Sequence, residues 1–228
     1  QMCIRDSCVG YMVDSAVGQF EDLSPRMVMT PWFDHEIPMT EAAEIGTRKV
    51  ITDHATVGVV VTTDGTITDI PREDYREAEE RVIRELQDIG KPFVVLVNSA
   101  QPEDPRAAAA AAEIQTRYGV TCRCVNCLTL TEEDIGDILR DLLYQFPLRE
   151  LDVFLPEWVD ALPGEHPIRS ALYQEIGEAA SQLTRICALP PCLAALSQGE
   201  NIESAAASTI DLGSGVAQVE IRLPRRLF

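Results

Sequence analysis

Between residues 40 and 147 short β-branched runs alternate with segments of helical period, and this alternation constrains the fold more than any other feature. Val57-Gly58-Val59-Val60-Val61-Thr62 and Phe93-Val94-Val95-Leu96-Val97 are continuous apolar runs, the pattern of strands buried on both faces. Residues 120–125 read as a third strand. The intervening segments read as helices over 40–53, 71–90, 105–118 and 131–146. Thr40 is placed to cap the first, with Glu41 and Glu44 in its early turns. In the second, Tyr75, Ala78, Val82, Leu86 and Ile89 fall near helical spacing, and the Glu- and Arg-rich face reads as solvated surface. The third carries an alanine run, which favours helix without implying a site. The fourth opens on Thr131 and Asp134 as a capping-box-like pair and carries the stripe Ile135, Ile138, Leu139, Leu142, Leu143, Phe146 before Pro147 ends it. Strands repeating with intervening helices imply a mainly parallel sheet with right-handed crossovers in a three-layer α/β domain. Ligands of such sheets bind beyond the carboxyl ends of the strands, which directs attention to residues 8–10, 62–65, 98–101 and 126–128.

The pattern changes after residue 148. Residues 151–155 read as a strand, and helical stretches follow around 156–162 and 166–186. Residues 207–212 and 216–223 flank Gly213-Ser214-Gly215, and Val219, Ile221 and Leu223 alternate with Gln218, Glu220 and Arg222, the mark of a half-exposed antiparallel hairpin. A domain boundary is therefore expected near 148, separating residues 8–147 from the start of an α+β middle domain at 148–228. The opening Gln1-Met2-Cys3-Ile4-Arg5-Asp6-Ser7 fits no following period and resembles the translation of a sequencing-library adapter. Residues 1–7 are therefore set aside as foreign, the alternative being a short natural tail. Because the chain stops just after a strand pattern, the gene is expected to continue.

Thirty-seven acidic side chains stand against 19 basic ones, a net charge of −18. Nucleic acid is excluded as a partner, for no basic surface is available to displace phosphate counterions. The same charge disfavours direct docking to anionic lipid. Seven cysteines, an odd number in a long chain without an export signal, point to a reducing cytoplasm rather than to disulfides. Cys122, Cys124 and Cys127 could be metal ligands, but no second pair with zinc spacing accompanies them, and small buried hydrophobes are the favoured reading. His35, His54 and His166 sit in separate segments without a zinc-protease spacing. Neither a Gly-x-Ser-x-Gly elbow nor a Gly-x-x-x-x-Gly-Lys-[Ser/Thr] phosphate loop occurs.

Several blocks carry a family resemblance. They are Cys8-Val9-Gly10-Tyr11, Thr30-Pro31-Trp32-Phe33, Glu41-Ala42-Ala43-Glu44-Ile45-Gly46-Thr47-Arg48-Lys49-Val50-Ile51, Thr62-Thr63-Asp64-Gly65-Thr66-Ile67 and Ala78-Glu79-Glu80-Arg81-Val82-Ile83. Gly90-Lys91-Pro92-Phe93, Val97-Asn98-Ser99, Leu142-Leu143-Tyr144-Gln145-Phe146-Pro147 and Gly213-Ser214-Gly215-Val216-Ala217 extend it along nearly the whole chain. Together these resemble the stage IV sporulation protein A family, spore-coat morphogenetic ATPases of endospore-forming Firmicutes. The resemblance implies a P-loop NTPase domain of the translation-factor GTPase type that is partial here, its phosphate loop and switch threonines lying upstream. It implies ATP and Mg2+ as the family's cofactors, and hydrolysis that drives assembly into a self-polymer. It also implies a mother-cell cytoplasmic location at the outer forespore membrane, held peripherally by a small amphipathic anchoring peptide, with other coat morphogenetic proteins layered outside.

The same resemblance supplies the candidate nucleotide-binding residues Gly10, Asn98, Ser99, Gln101, Asn126 and Cys127. The family's Asp-Cys-Val-Gly motif remains as Cys8-Val9-Gly10, with Ser7 where the Asp belongs, and Gly10 is a candidate γ-phosphate contact. Asn98-Ser99-Ala100-Gln101 stands where GTPases carry Asn-Lys-x-Asp, and Gln101 cannot offer guanine the ionised double acceptor of an Asp. Loss of guanine selectivity follows. With Asn126-Cys127, these loops either line an adenine pocket or are simply polar strand ends. Two functions remain open: a fragment of the ATPase, itself inactive for want of a phosphate cradle, or a non-catalytic assembly module that has lost its nucleotide site.

Overall fold

The structure, a computed structural model, describes residues 10–13, 15–21 and 24–227. The expectations placed on residues 1–7, Cys8 and Val9 lie outside them. The chain divides into two compact units between Leu142 and Leu143.

The first unit opens on two short antiparallel ladders, Phe20–Glu21 with Ser24–Pro25 and Met27–Val28 with Ile37–Pro38. Helix α1 follows, Met39–Lys49, and runs on into a π-helical turn, Val50–His54. Thr40 lies inside α1 rather than at its cap, and Pro38 occupies the cap position without a side-chain bond. The ammonium of Lys91 closes the π turn, donating to the carbonyls of Ile51, Thr52 and Ala55 at 2.6, 2.9 and 2.5 Å. A cation over the orphan carbonyls of a helix end complements its dipole.

Strands β1 (Gly58–Thr63), β2 (Phe93–Asn98) and β3 (Cys122–Val125) form a parallel sheet in that order. Gly58 pairs with Phe93, Thr63 with Asn98 and Asn98 in turn with Val125, so the three carboxyl ends come level. Helices α2 (Arg72–Ile89), α3 (Pro105–Tyr118) and α4 (Glu132–Tyr144) connect and flank the strands. On one face Ile83 and Leu86 of α2 and Ala110, Ala111 and Ile114 of α3 pack with Val60, Phe93, Val95, Val97 and Cys122. On the other, Ile138 and Leu142 of α4 pack with Val94, Leu96 and Val125. The helices thus lie on both faces of a parallel sheet. The capping pair of α4 is reciprocal: Asp134 N–H donates to Thr131 Oγ1 at 3.2 Å and Thr131 N–H to the Asp134 carboxylate at 2.9 Å.

Two expectations need correction. Strand β1 is not buried on both faces, for Val59 and Val61 are 49% and 57% exposed. Among the described residues no strand pairs with its outer edge, and α4 covers only β2 and β3 on that face. An apolar groove of about 490 Å3 runs along this edge, lined by Gly10, Tyr11, Val59, Val61, Ala78 and Leu86 among others. Nor is the charged face of α2 all solvated. Glu79 is only 5% exposed and meets the Arg72 guanidinium at 2.8 Å.

In the second unit, strands β4 (Glu150–Phe154), β5 (Ser204–Asp211) and β6 (Val216–Arg222) form a sheet with β6 in the centre. Strand β6 pairs antiparallel with β5, as the alternation predicts, and parallel with β4. Its Ala217, Val219 and Ile221 pack against Leu172 of helix α5 (Pro167–Ser181) and against Leu189, Leu193 and Leu196 of helix α6 (Leu189–Leu196). Among the described residues no helix is long and apolar enough to cross a membrane.

Candidate functional site

The carboxyl ends of β1, β2 and β3 are joined by a polar network built around Asp64. The Ser99 hydroxyl donates to Asp64 Oδ2 at 2.7 Å. Both the N–H and the hydroxyl of Thr66 donate to Asp64 Oδ1, at 3.0 and 2.6 Å. Thr66 Oγ1 in turn accepts from the Ala100 N–H at 2.9 Å, which ties the β1 loop to the β2 loop. Burial works against the charge on Asp64, but the bonds from the Thr66 and Ser99 hydroxyls and the Thr66 amide overcome it, and the pKa is lowered. Gly65, between the acceptor Asp64 and the donor Thr66, has φ +89° and so needs glycine for its backbone; a Cβ there would also lie 3.2 Å from the Arg72 backbone nitrogen at the start of α2.

The loop after β2 is linked to the loop after β3 in the same way. Asn98 Oδ1 accepts from the Cys127 N–H at 3.0 Å, and the Asn126 amide donates to the Ala100 carbonyl at 3.3 Å. The Gln101 N–H donates to the Ser99 hydroxyl at 3.1 Å. Ser99 is fully buried, so its hydroxyl serves Asp64 and Gln101 rather than a ligand. Asn98, Ser99, Gln101, Asn126 and Cys127 are thus brought to one end of the sheet. Asp64 and Thr66 complete the set. The sequence marked the loop that holds Asp64 but gave no reason to single it out, and Thr66 lay one residue beyond.

Gly10 belongs to a different arrangement. It sits on the rim of the groove along β1, and its N–H donates to Thr47 Oγ1 of α1 at 3.0 Å. Among the described residues no hydrogen bond links it to the Asp64 network.

Cys122, Cys124 and Cys127 stay protonated as free thiols, buried, half-buried and exposed in turn. Burial pushes the Cys122 thiol up to about 12 and raises Cys124 and Cys127 as well. A protonated thiol is a poor ligand and nucleophile. Among the described residues no cluster of three or more His, Cys, Asp or Glu side chains could hold a metal ion.

Three polar loops stiffened at the carboxyl end of a parallel sheet define an open-sheet α/β domain, a class whose ligands bind at the strand ends. Comparison with known proteins makes this specific: the chain belongs to the stage IV sporulation protein A family. The family description "Stage IV sporulation protein A, ATPase domain" matches residues 2–147, and "Stage IV sporulation protein A, middle domain" matches residues 148–228. The chain is 42% identical over 221 residues to Stage IV sporulation protein A of Bacillus subtilis (strain 168), 41% to that of Bacillus anthracis and 37% to that of Clostridioides difficile (strain 630). Each alignment covers 97% of this chain and 45% of the relative, so the chain spans under half the length of the curated relatives it matches. No solved structure matches it.

Proposed function

We propose that these residues form part of an ATP hydrolase that drives assembly of the spore-coat basement layer, and that the fold of the first unit is that of a P-loop NTPase. The observation that carries this reading is the network joining the three strand-end loops within the segment matched to an ATPase domain. In this reading Asn98, Gln101, Asn126 and Cys127 form the base side of a nucleotide site, supported by the hydrogen bonds that tie their loops to one another and to Asp64, Ser99 and Thr66. Gly10, at the rim of the groove, is the γ-phosphate contact. The phosphate cradle and the strand that bears it would be supplied by residues upstream. The open edge of β1 and its apolar groove are the place in the sheet where such a strand fits.

The described residues do not fit a Mg2+ site. Asp64 directly follows the carboxyl end of β1, and both its oxygens already accept hydrogen bonds from Ser99 and Thr66. The ion's ligands therefore come from elsewhere. In the cell this reading places the protein in the mother-cell cytoplasm, peripheral to the outer forespore membrane, as a self-polymer under further coat proteins. A chain of charge −18 does not coat an anionic surface unaided, which is the physical case for a small amphipathic anchoring peptide.

Phosphate release by the full-length gene product and by the 228-residue chain tests the proposal. Steady hydrolysis of ATP is expected from the first and none from the second, since most nucleotide affinity resides in the phosphate cradle. A full-length protein that folds but neither binds nor hydrolyses ATP would favour the non-catalytic assembly module instead.

A further inference from the structure

Gly10 has an unusual partner. Thr47 is buried within α1, where a threonine hydroxyl ordinarily bonds back to a carbonyl of its own helix. Here it accepts from the Gly10 N–H at 3.0 Å and donates toward the Gly10 carbonyl at 3.3 Å. One side chain thus closes both backbone groups of a glycine 37 residues away. The neighbouring residue is clamped as well. The Tyr11 hydroxyl donates to Glu85 of α2, and the Arg81 guanidinium lies 4.7 Å from the centre of the Tyr11 ring. The same guanidinium forks onto Glu44 of α1 at 2.6 and 2.8 Å. Residues 10 and 11 are therefore held between α1 and α2 at the rim of the groove.

We propose that Thr47 is a positioning residue that competes with the terminal phosphate of the nucleotide for the Gly10 amide. This rests on the nucleotide reading above, which makes Gly10 a γ-phosphate contact. One backbone N–H makes one good hydrogen bond, so Thr47 and a phosphate oxygen exclude each other. The bond to a charged oxygen is the stronger, so a triphosphate takes the amide and a diphosphate leaves it with Thr47. A displaced Thr47 hydroxyl can turn back to the Ala43 carbonyl of its own helix, and α1 then loses its direct tie to residue 10. Through the Glu44–Arg81 fork and the Tyr11 clamp, that change reaches α2. The state of the terminal phosphate is in this way reported to the outer α1–α2 surface.

The test is nucleotide binding by the full-length gene product, with a fluorescent non-hydrolysable ATP analogue and the matching ADP analogue. Wild-type protein should prefer the triphosphate. Thr47→Val removes the competitor and should raise the ratio of triphosphate to diphosphate affinity about two- to tenfold, the worth of one neutral hydrogen bond. Thr47→Ser keeps the hydroxyl and should leave the ratio within about twofold of wild type. Tyr11→Phe loosens the clamp without touching the amide and should shift the ratio the same way by less. An unchanged or lowered ratio in a Thr47→Val protein that melts like wild type overturns the competition alone. Should Thr47→Val not fold, an unchanged ratio in Tyr11→Phe overturns it. A wild-type protein with no preference for the triphosphate overturns the nucleotide reading and this inference together.

Discussion

Asp64 is held ionised by donors from two residues: Thr66 in its own loop and Ser99 just past the carboxyl end of β2. Its folded pKa lies below the ordinary Asp value of about 3.9, so it binds fewer protons in the folded state than in the unfolded one. Its contribution is therefore fully present above the unfolded pKa and is lost as pH falls through the folded one. Asp64→Asn should cost about 1 kcal/mol at pH 7, a figure discounted for partial exposure, and the difference from wild type should vanish toward pH 2. Urea unfolding of both proteins across that range measures it. The sequence could bring Asp64 only as far as the end of a strand, because the partner that defines its role, Ser99, is 35 residues away. A separation of 37 residues likewise hid the Thr47–Gly10 pair. Glu79 was hidden differently: its neighbours Glu77 and Glu80 share its type, and nothing local says that Arg72 will follow it into the interior.

At the scale of single elements most local signals were reliable, and several of the errors were about which face is covered. The helix over residues 131–146 was read as one apolar stripe, and α4 does carry it. Yet Ile138 and Leu142 are buried while Ile135, Leu139 and Leu143 are exposed. Periodicity reports that a face is apolar but not how much of it finds a partner. In the 228-residue chain Leu142→Ala should cost about 2–5 kcal/mol and Leu139→Ala less than about 0.5 kcal/mol, as chemical denaturation would show. Equal losses would mean that α4 is rotated from the orientation described. Helix α6 lies outside the helices expected from the sequence, and it carries Pro190-Pro191 in its first turn. The first turn of a helix tolerates proline, since its N–H groups have no partner there anyway. The parallel pairing of β4 with β6 joins residues 66 apart and has no local signature, whereas the hairpin of β5 and β6 announces itself through its turn.

For the molecule as a whole, the alternation of strand and helix pointed to a parallel sheet, which the structure has, and directed attention to its carboxyl end, while charge argued against nucleic acid. What could not be read was where the sheet ends, because an edge is defined by the strand that does not arrive. The groove along β1 turns that edge into an optical property. It offers about 490 Å3 of largely apolar space beside two exposed valines, a fitting berth for a solvatochromic naphthalene-sulfonate dye, which fluoresces brightly only when shielded from water. The 228-residue chain should light up such a dye while fully folded. Val61→Glu should dim it, and a full-length protein whose own strand fills the groove should stay dark. A folded chain as dark as the full-length protein would mean that the groove closes on itself. Emission colour would then serve as a simple count of strands: one bright state for a sheet still waiting at its border, one dark state for a sheet that has been closed.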